Sequence, residues 1–139
     1  MSKYTFDTAA VIGTGMMGPG IALTLALGGL KATILSRSDQ NASAALRKAH
    51  SQIELLRGHG LVPDDTAARA ASLVSSSADF DGVIAQADLV VESAPENMAF
   101  KQDLFARMDA IAKPAAILAS NTSGLSITAI ASRRSASHE

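Results

Sequence analysis

The chain predicts an α/β fold, with a mostly parallel β-sheet covered by helices on both faces, and three observations carry that prediction. Short apolar runs recur along it: Ala9-Ala10-Val11-Ile12, Ala32-Thr33-Ile34-Leu35, Leu89-Val90-Val91-Glu92 and Ala115-Ala116-Ile117-Leu118-Ala119. Runs this hydrophobic suit strands buried on both faces. Segments with helical spacing of apolar residues alternate with them, the order expected when crossover helices join parallel strands. Finally, the cluster Gly13-Thr14-Gly15-Met16-Met17-Gly18 stands between the first apolar run and the first helical segment.

Taken in order, residues 8–13 read as a first strand, 16–28 as a helix, and 32–35 as a second strand after the Gly28-Gly29 stop. A long helix is expected over about 41–57, where Leu46, Ala49, Ile53 and Leu56 recur at three- and four-residue spacing. Pro63-Asp64-Asp65-Thr66 offers caps and first-turn acids to a shorter helix through Ala71, which makes an extra helical pair before the third strand. Leu73-Val74-Ser75 is a weak strand, and residues 80–87 a short helix leading into the strand at 89–92. From Glu96 to Lys113 the residues Phe100, Leu104, Met108 and Ile111 share one face, with Lys101, Asp103, Arg107 and Asp109 mostly elsewhere, until Pro114 ends the helix. A fifth strand over 115–119 follows, and Ser126 can cap a last short helix through Ile130 and Ala131.

Composition bounds the function classes. A chain of 139 residues with 47% hydrophobic content holds one domain with a sizeable core. The expected boundaries are 1–132 for the domain and 133–139 for a polar tail. A net charge of -1 without a basic stripe argues against a nucleic-acid partner. The absence of cysteine excludes disulfides and thiolate metal sites and is compatible with a reducing cytoplasm. The start of the chain lacks the apolar core of a signal peptide, and no run approaches the roughly 18 apolar residues of a membrane span. A cytoplasmic protein without a membrane partner is therefore expected. His50, His59 and His138 lack ligand-like spacing and read as solvated surface, with no metal expected.

The spacing G-x-G-x-x-G has a mechanical reason when it lies between strand and helix. Gly13 permits the tight turn, Gly15 lets the backbone approach a pyrophosphate, and Gly18 lets helix and strand pack closely. The first amides of the helix, around Met16 and Met17, lack intrahelical partners and sit at the positive end of its dipole, which suits a diphosphate. Pro19 fits a first turn that has no amide partner to lose. The reading is a dinucleotide site in a Rossmann-type, doubly wound sheet.

In such a sheet the turns after the first, second, fourth and fifth strands share one edge. After the second strand, where a carboxylate commonly binds the ribose hydroxyls, stand Ser36-Arg37-Ser38-Asp39. A hydroxyl and a guanidinium can hold a 2′-phosphate through charge-assisted hydrogen bonds, so Ser36 and Arg37 lean toward NADP over NAD. Arg37 could equally stack near adenine, and Asp39 cap the next helix or reach the ribose. After the fourth strand come Glu96 and, one turn later, Lys101; Glu96 would favour a helix N-terminus whatever its role. After the fifth, residues 120–128 bring neutral donors and acceptors, among them Asn121 and Ser123, which can orient a substrate oxygen or satisfy their own loop.

Residues 11–22, 88–97 and 119–127 together resemble the NAD-binding domain of the 3-hydroxyacyl-CoA dehydrogenase family. The resemblance covers nearly the whole chain and implies oxidation of a 3-hydroxyacyl-CoA to the 3-ketoacyl-CoA by hydride transfer to a nicotinamide dinucleotide. It implies that Gly13, Gly15 and Gly18 contact the diphosphate, that Glu96 and Lys101 lie along the cofactor near its nicotinamide half, and that Ser123 and Asn121 approach nicotinamide and the substrate oxygen. Two departures stand out. The family usually has aspartate where Ser36 stands, and its catalytic histidine, glutamate partner and helical substrate and dimerisation domain follow the point where this chain stops. His138 does not match that histidine's motif. The expectation is a truncated oxidoreductase domain that binds cofactor without turnover and exposes apolar surface that could support a homodimer. A stand-alone dinucleotide-binding or sensing module is the alternative.

Overall fold

A computed structural model describes residues 7–13, 17–93 and 98–120. Strands β1 (Thr8–Ile12), β2 (Lys31–Leu35), β3 (Val74–Ser77), β4 (Leu89–Glu92) and β5 (Ile117–Ser120) form one sheet in the order β3-β2-β1-β4-β5. Every pairing is parallel. Each strand pair therefore needs a crossover. Helix α1 (Met17–Leu27) supplies the one from β1 to β2, α2 (Asp39–Gly58) and α3 (Asp64–Leu73) the one to β3, α4 (Phe80–Gln86) the one to β4, and α5 (Met98–Ile111) the one to β5. The helical pair after the second strand is present.

Two apolar layers sandwich the sheet because successive strand residues point to opposite faces. Val11, Ala32, Ile34 and Val74 meet α1, α2 and α3 through Ala22, Leu23, Ala26, Ala45, Ala49, Ile53, Ala67 and Ala70. Ala10, Ile12, Leu35 and Val90 face the other way, onto Ile84 of α4 and Phe105 and Met108 of α5. The many alanines let the helices lie close to the strands.

Several expected boundaries move. β3 begins at Val74, one residue later than expected, because α3 continues through Leu73; it then runs to Ser77 in register with Leu35. Pro114 and Ala115 lie in a turn closed by the Ala116 amide donating to the Lys113 carbonyl, so β5 starts at Ile117. α2 begins at Asp39, capped by Ser38, whose Oγ accepts from the Asn41 amide at 3.1 Å. Asp39 is the first-turn acid, not the cap. Asp109, expected off the buried face of α5, is only 6% exposed. His50 is half-buried, its Nε2 3.1 Å from the Ala71 carbonyl, and so ties α2 to α3 instead of lying free in solvent. The final helix expected near Ser126 and the 133–139 tail lie outside the described residues.

The amino edge of the sheet is stapled by Asp88. Its carboxylate accepts from Lys113 Nζ at 2.7 Å and from the amides of Asp7 and Thr8 at 2.9 and 3.1 Å. The Lys113 hydrogen bond, reinforced by those two amides, pulls the carboxyl down to about 2. At the α2–α3 corner, Arg57 bridges Glu54 at 2.7 Å and Asp64 at 3.5 Å across an exposed surface. Hydrogen bonding to Arg57 lowers the Glu54 carboxyl, and Glu54 raises the guanidinium in turn.

Candidate cofactor site

The register places Ile12, Leu35, Ser77, Glu92 and Ser120 along one carboxyl edge. The strand order reverses between β1 and β4, where crossovers leave in opposite directions, and open α/β sheets bind their ligands at such a switch point. The β1–β4 ladder runs one residue further there: the Ser93 amide donates to the Ile12 carbonyl at 2.7 Å.

On the β1 side Gly13 makes the turn and Gly18 the close helix–strand approach that their spacing requires. Gly13 adopts φ 119°, a conformation side-chain-bearing residues rarely take, and its amide donates to the Leu35 carbonyl at 3.4 Å. A β-carbon on Gly18 would run into the Gly13 carbonyl oxygen and lie 2.8 Å from its carbon. Helix α1 thus rests directly on the end of β1. Its first turn contains no acidic side chain, so no carboxylate of its own offsets the positive end of the dipole. Pro19 is fully buried in that turn, where it forfeits no amide bond. Gly15 and Met16 lie outside the described residues, and Met17 opens α1.

At β2 the Ser36 amide donates to the Ser77 carbonyl at 3.1 Å, which holds Ser36 at the edge. Arg37 is exposed and has no ion pair among the described residues. Both remain available to a phosphate or a ribose. Glu96, Asn121 and Ser123 lie outside the described residues; Lys101 is the fourth residue of α5, the helix that leaves this edge. The described geometry therefore joins Gly13, Gly18, Ser36 and Arg37 on one side of the switch point. On the other side the sequence reading passed over Glu92, which is 0% exposed at the end of β4. An acid in phase with Val90 on a strand covered on both faces was the available signal.

The close approach of Gly18 to the Gly13 carbonyl, a first turn of α1 without acidic side chains and the exposed Arg37 suit a phosphorylated dinucleotide. Among the described residues no three histidine or acidic side chains cluster as a metal would need, and no helix is long and apolar enough to cross a membrane.

Comparisons with known proteins agree with this fold. The sequence profile described as 3-hydroxyacyl-CoA dehydrogenase, NAD binding domain, matches residues 8–139. A 3-hydroxybutyryl-CoA dehydrogenase of Clostridioides difficile is 37% identical over 123 residues, covering 88% of this chain and 43% of that protein. The human mitochondrial hydroxyacyl-coenzyme A dehydrogenase is 37% identical over 138 residues, covering 93% and 43%. Among solved structures, 3-hydroxybutyryl-CoA dehydrogenase from Escherichia coli K12 superposes with a TM-score of 0.89 at 32% identity, over 96% of this chain and 28% of that one. The chain thus spans less than half the length of these relatives.

Proposed function

Since the chain belongs to the 3-hydroxyacyl-CoA dehydrogenase family, as its NAD-binding domain, we propose that it forms the coenzyme half of an oxidoreductase that converts a 3-hydroxyacyl-CoA to the 3-ketoacyl-CoA. The observation that carries this is the contact between Gly18 and the Gly13 carbonyl, a close approach that a β-carbon would block and that seats the first turn of α1 on the end of β1, where its amides would meet a diphosphate. Gly13, Gly15, Met16, Met17 and Gly18 would hold the diphosphate through backbone amides. Glu96 and Lys101 would flank the nicotinamide half, and Asn121 and Ser123 would orient the nicotinamide and the substrate oxygen. The bound nicotinamide supplies the hydride acceptor. This chain's part in that reaction is binding and orientation.

Ser36 and the exposed Arg37 favour NADP over NAD, because a neutral hydroxyl and a guanidinium accept a 2′-phosphate that an aspartate would repel. Separate calorimetric titrations with NADH and NADPH test both levels of the reading. Tighter NADPH binding is expected; equal or tighter NADH binding overturns the preference, and binding of neither overturns the coenzyme site. A homodimer is proposed on the exposed apolar Ile117 of β5, an edge strand of the described sheet. Light scattering that gives a monomer mass at all concentrations contradicts it. A cytoplasmic location is proposed on the cysteine-free composition. Fractionation of the source cells tests it, and a mitochondrial location, as the human relative's name gives, would refute it.

A further inference from the structure

Arg37 stands between two residues that the fold holds in place. On its amino side the Ser36 amide donates to the Ser77 carbonyl at 3.1 Å, which carries the β2–β3 pairing one residue past Leu35. That end of β3 is itself tied down. The Ser77 hydroxyl accepts from the Asp79 amide at 2.9 Å, and the Asp79 carboxylate accepts from the Gly82 amide as the cap of α4. On the carboxyl side Ser38 caps α2. Its backbone is extended, with φ -137° and ψ 151°; its Oγ accepts from the Asn41 amide at 3.1 Å and its carbonyl from the Ala42 amide at 3.0 Å. The main chain at Arg37 is thus anchored one residue away on either side, while its side chain is exposed and has no ion pair among the described residues.

A guanidinium binds phosphate through a planar fork of N–H donors, so its net gain depends on how much freedom the arginine surrenders on binding. A main chain anchored beforehand lowers that cost. The end of α2 does not replace the arginine, because Asp39 in its first turn offsets the positive end of the dipole and would repel an anion seated on it. Of the two anchors, the Ser36 bond is made by the main chain whatever the side chain, whereas the cap depends on the Ser38 hydroxyl. Without that hydroxyl the Asn41 amide loses its partner, and the first turn of α2 frays more readily beside Arg37.

We propose that Ser38 is a positioning residue for coenzyme selectivity: its cap on α2 holds Arg37 where the guanidinium meets a 2′-phosphate, without Ser38 itself touching the coenzyme. The proposal rests on the NADP preference argued above. The test titrates NADPH and NADH, by calorimetry, into the 139-residue chain, Ser38→Ala, Ser38→Asn, Arg37→Ala and the double variant Arg37→Ala with Ser38→Ala. Asparagine caps a helix about as well as serine, and alanine does not. Ser38→Ala is expected to bind NADPH about fivefold more weakly and NADH within about twofold of wild type, and Ser38→Asn to stay within about twofold for both. In the Arg37→Ala background, Ser38→Ala should weaken NADPH by less than about twofold, because its effect passes through the arginine. Undiminished NADPH affinity in Ser38→Ala overturns the proposal, as does an equal loss for both coenzymes or failure of that variant to fold, each of which marks a general structural role. A loss that persists without Arg37, or that Ser38→Asn does not restore, also overturns it, since either points to direct contact by the hydroxyl. Wild-type protein that binds NADH as tightly as NADPH refutes the underlying preference instead, and protein that binds neither refutes the coenzyme site.

Discussion

Replacing Gly18 with alanine isolates the contact on which the cofactor site is built. Gly18 is helical and lies outside the positive-φ region, so on backbone grounds alone alanine would stabilise α1 by about 0.5–1 kcal/mol. Its β-carbon would, however, meet the carbonyl group of Gly13, whose carbon lies 2.8 Å away. These are main-chain atoms at the end of a central strand, and no rotamer change relieves the overlap. Helix α1 must shift against β1, and overpacking of this kind costs about 1–3 kcal/mol. The net loss, up to about 2.5 kcal/mol, corresponds to a fall in Tm of up to about 8 °C for a chain of this size. The displaced first-turn amides should weaken the coenzyme by about tenfold, as loss of one charge-assisted hydrogen bond would. Gly58→Ala is the control, because nothing lies within 4 Å of that position and its φ is not positive. It should raise Tm by about 1–3 °C. Calorimetric melts and coenzyme titrations read both variants. A Gly18→Ala protein that melts at or above wild type and binds coenzyme equally well would refute the reasoning.

The staple at Asp88 makes stability fall in acid. Its folded value of about 2 lies below the unfolded 3.8, so the contribution is complete above about 4 and disappears as pH drops toward 2. Because the Asp88 and Lys113 side chains are 21% and 44% exposed, screening reduces it to about 1–2 kcal/mol. Urea melts of wild type and Asp88→Asn should differ by that amount at pH 7 and converge near pH 2; a gap independent of pH would contradict the assignment. Arg37→Ala should weaken NADPH by about five- to tenfold and NADH by less than about twofold, by titration; equal losses would remove its phosphate role. Met108→Ala empties a fully buried position between α5 and the sheet and should cost about 2–5 kcal/mol by denaturant melts, whereas a loss below about 1 kcal/mol would mean that α5 does not pack as described.

The parallel sheet, its helical insertion and the role of Gly18 were legible because each follows from local rules. Alternating strand and helix patterns fix the topology class, and the spacing from Gly13 to Gly18 spans one strand-to-helix corner. What depends on register was less legible. Ser76 and Ser77 carry no hydrophobic signal, and it is pairing with Ile34 and Leu35 that makes them strand. Ser38 and Asp39 are both capping residues by type, and only the Asn41 amide decides between them. The burial of Asp109 and Glu92 is not legible in the sequence for one reason: charge predicts exposure residue by residue, while burial is set by the layer above. The positions of Ser36 and Arg37 at the sheet edge follow from the end of β2, yet their ligand preference is chemistry that the fold does not dictate.

A crystal structure of the chain with its preferred reduced coenzyme tests the account most directly. The diphosphate should accept hydrogen bonds from main-chain amides of the 13–18 corner, at the N-terminus of α1, with the adenosine end toward Ser36 and Arg37. A coenzyme bound away from that corner, or a diphosphate held by side chains elsewhere on the sheet, would contradict it.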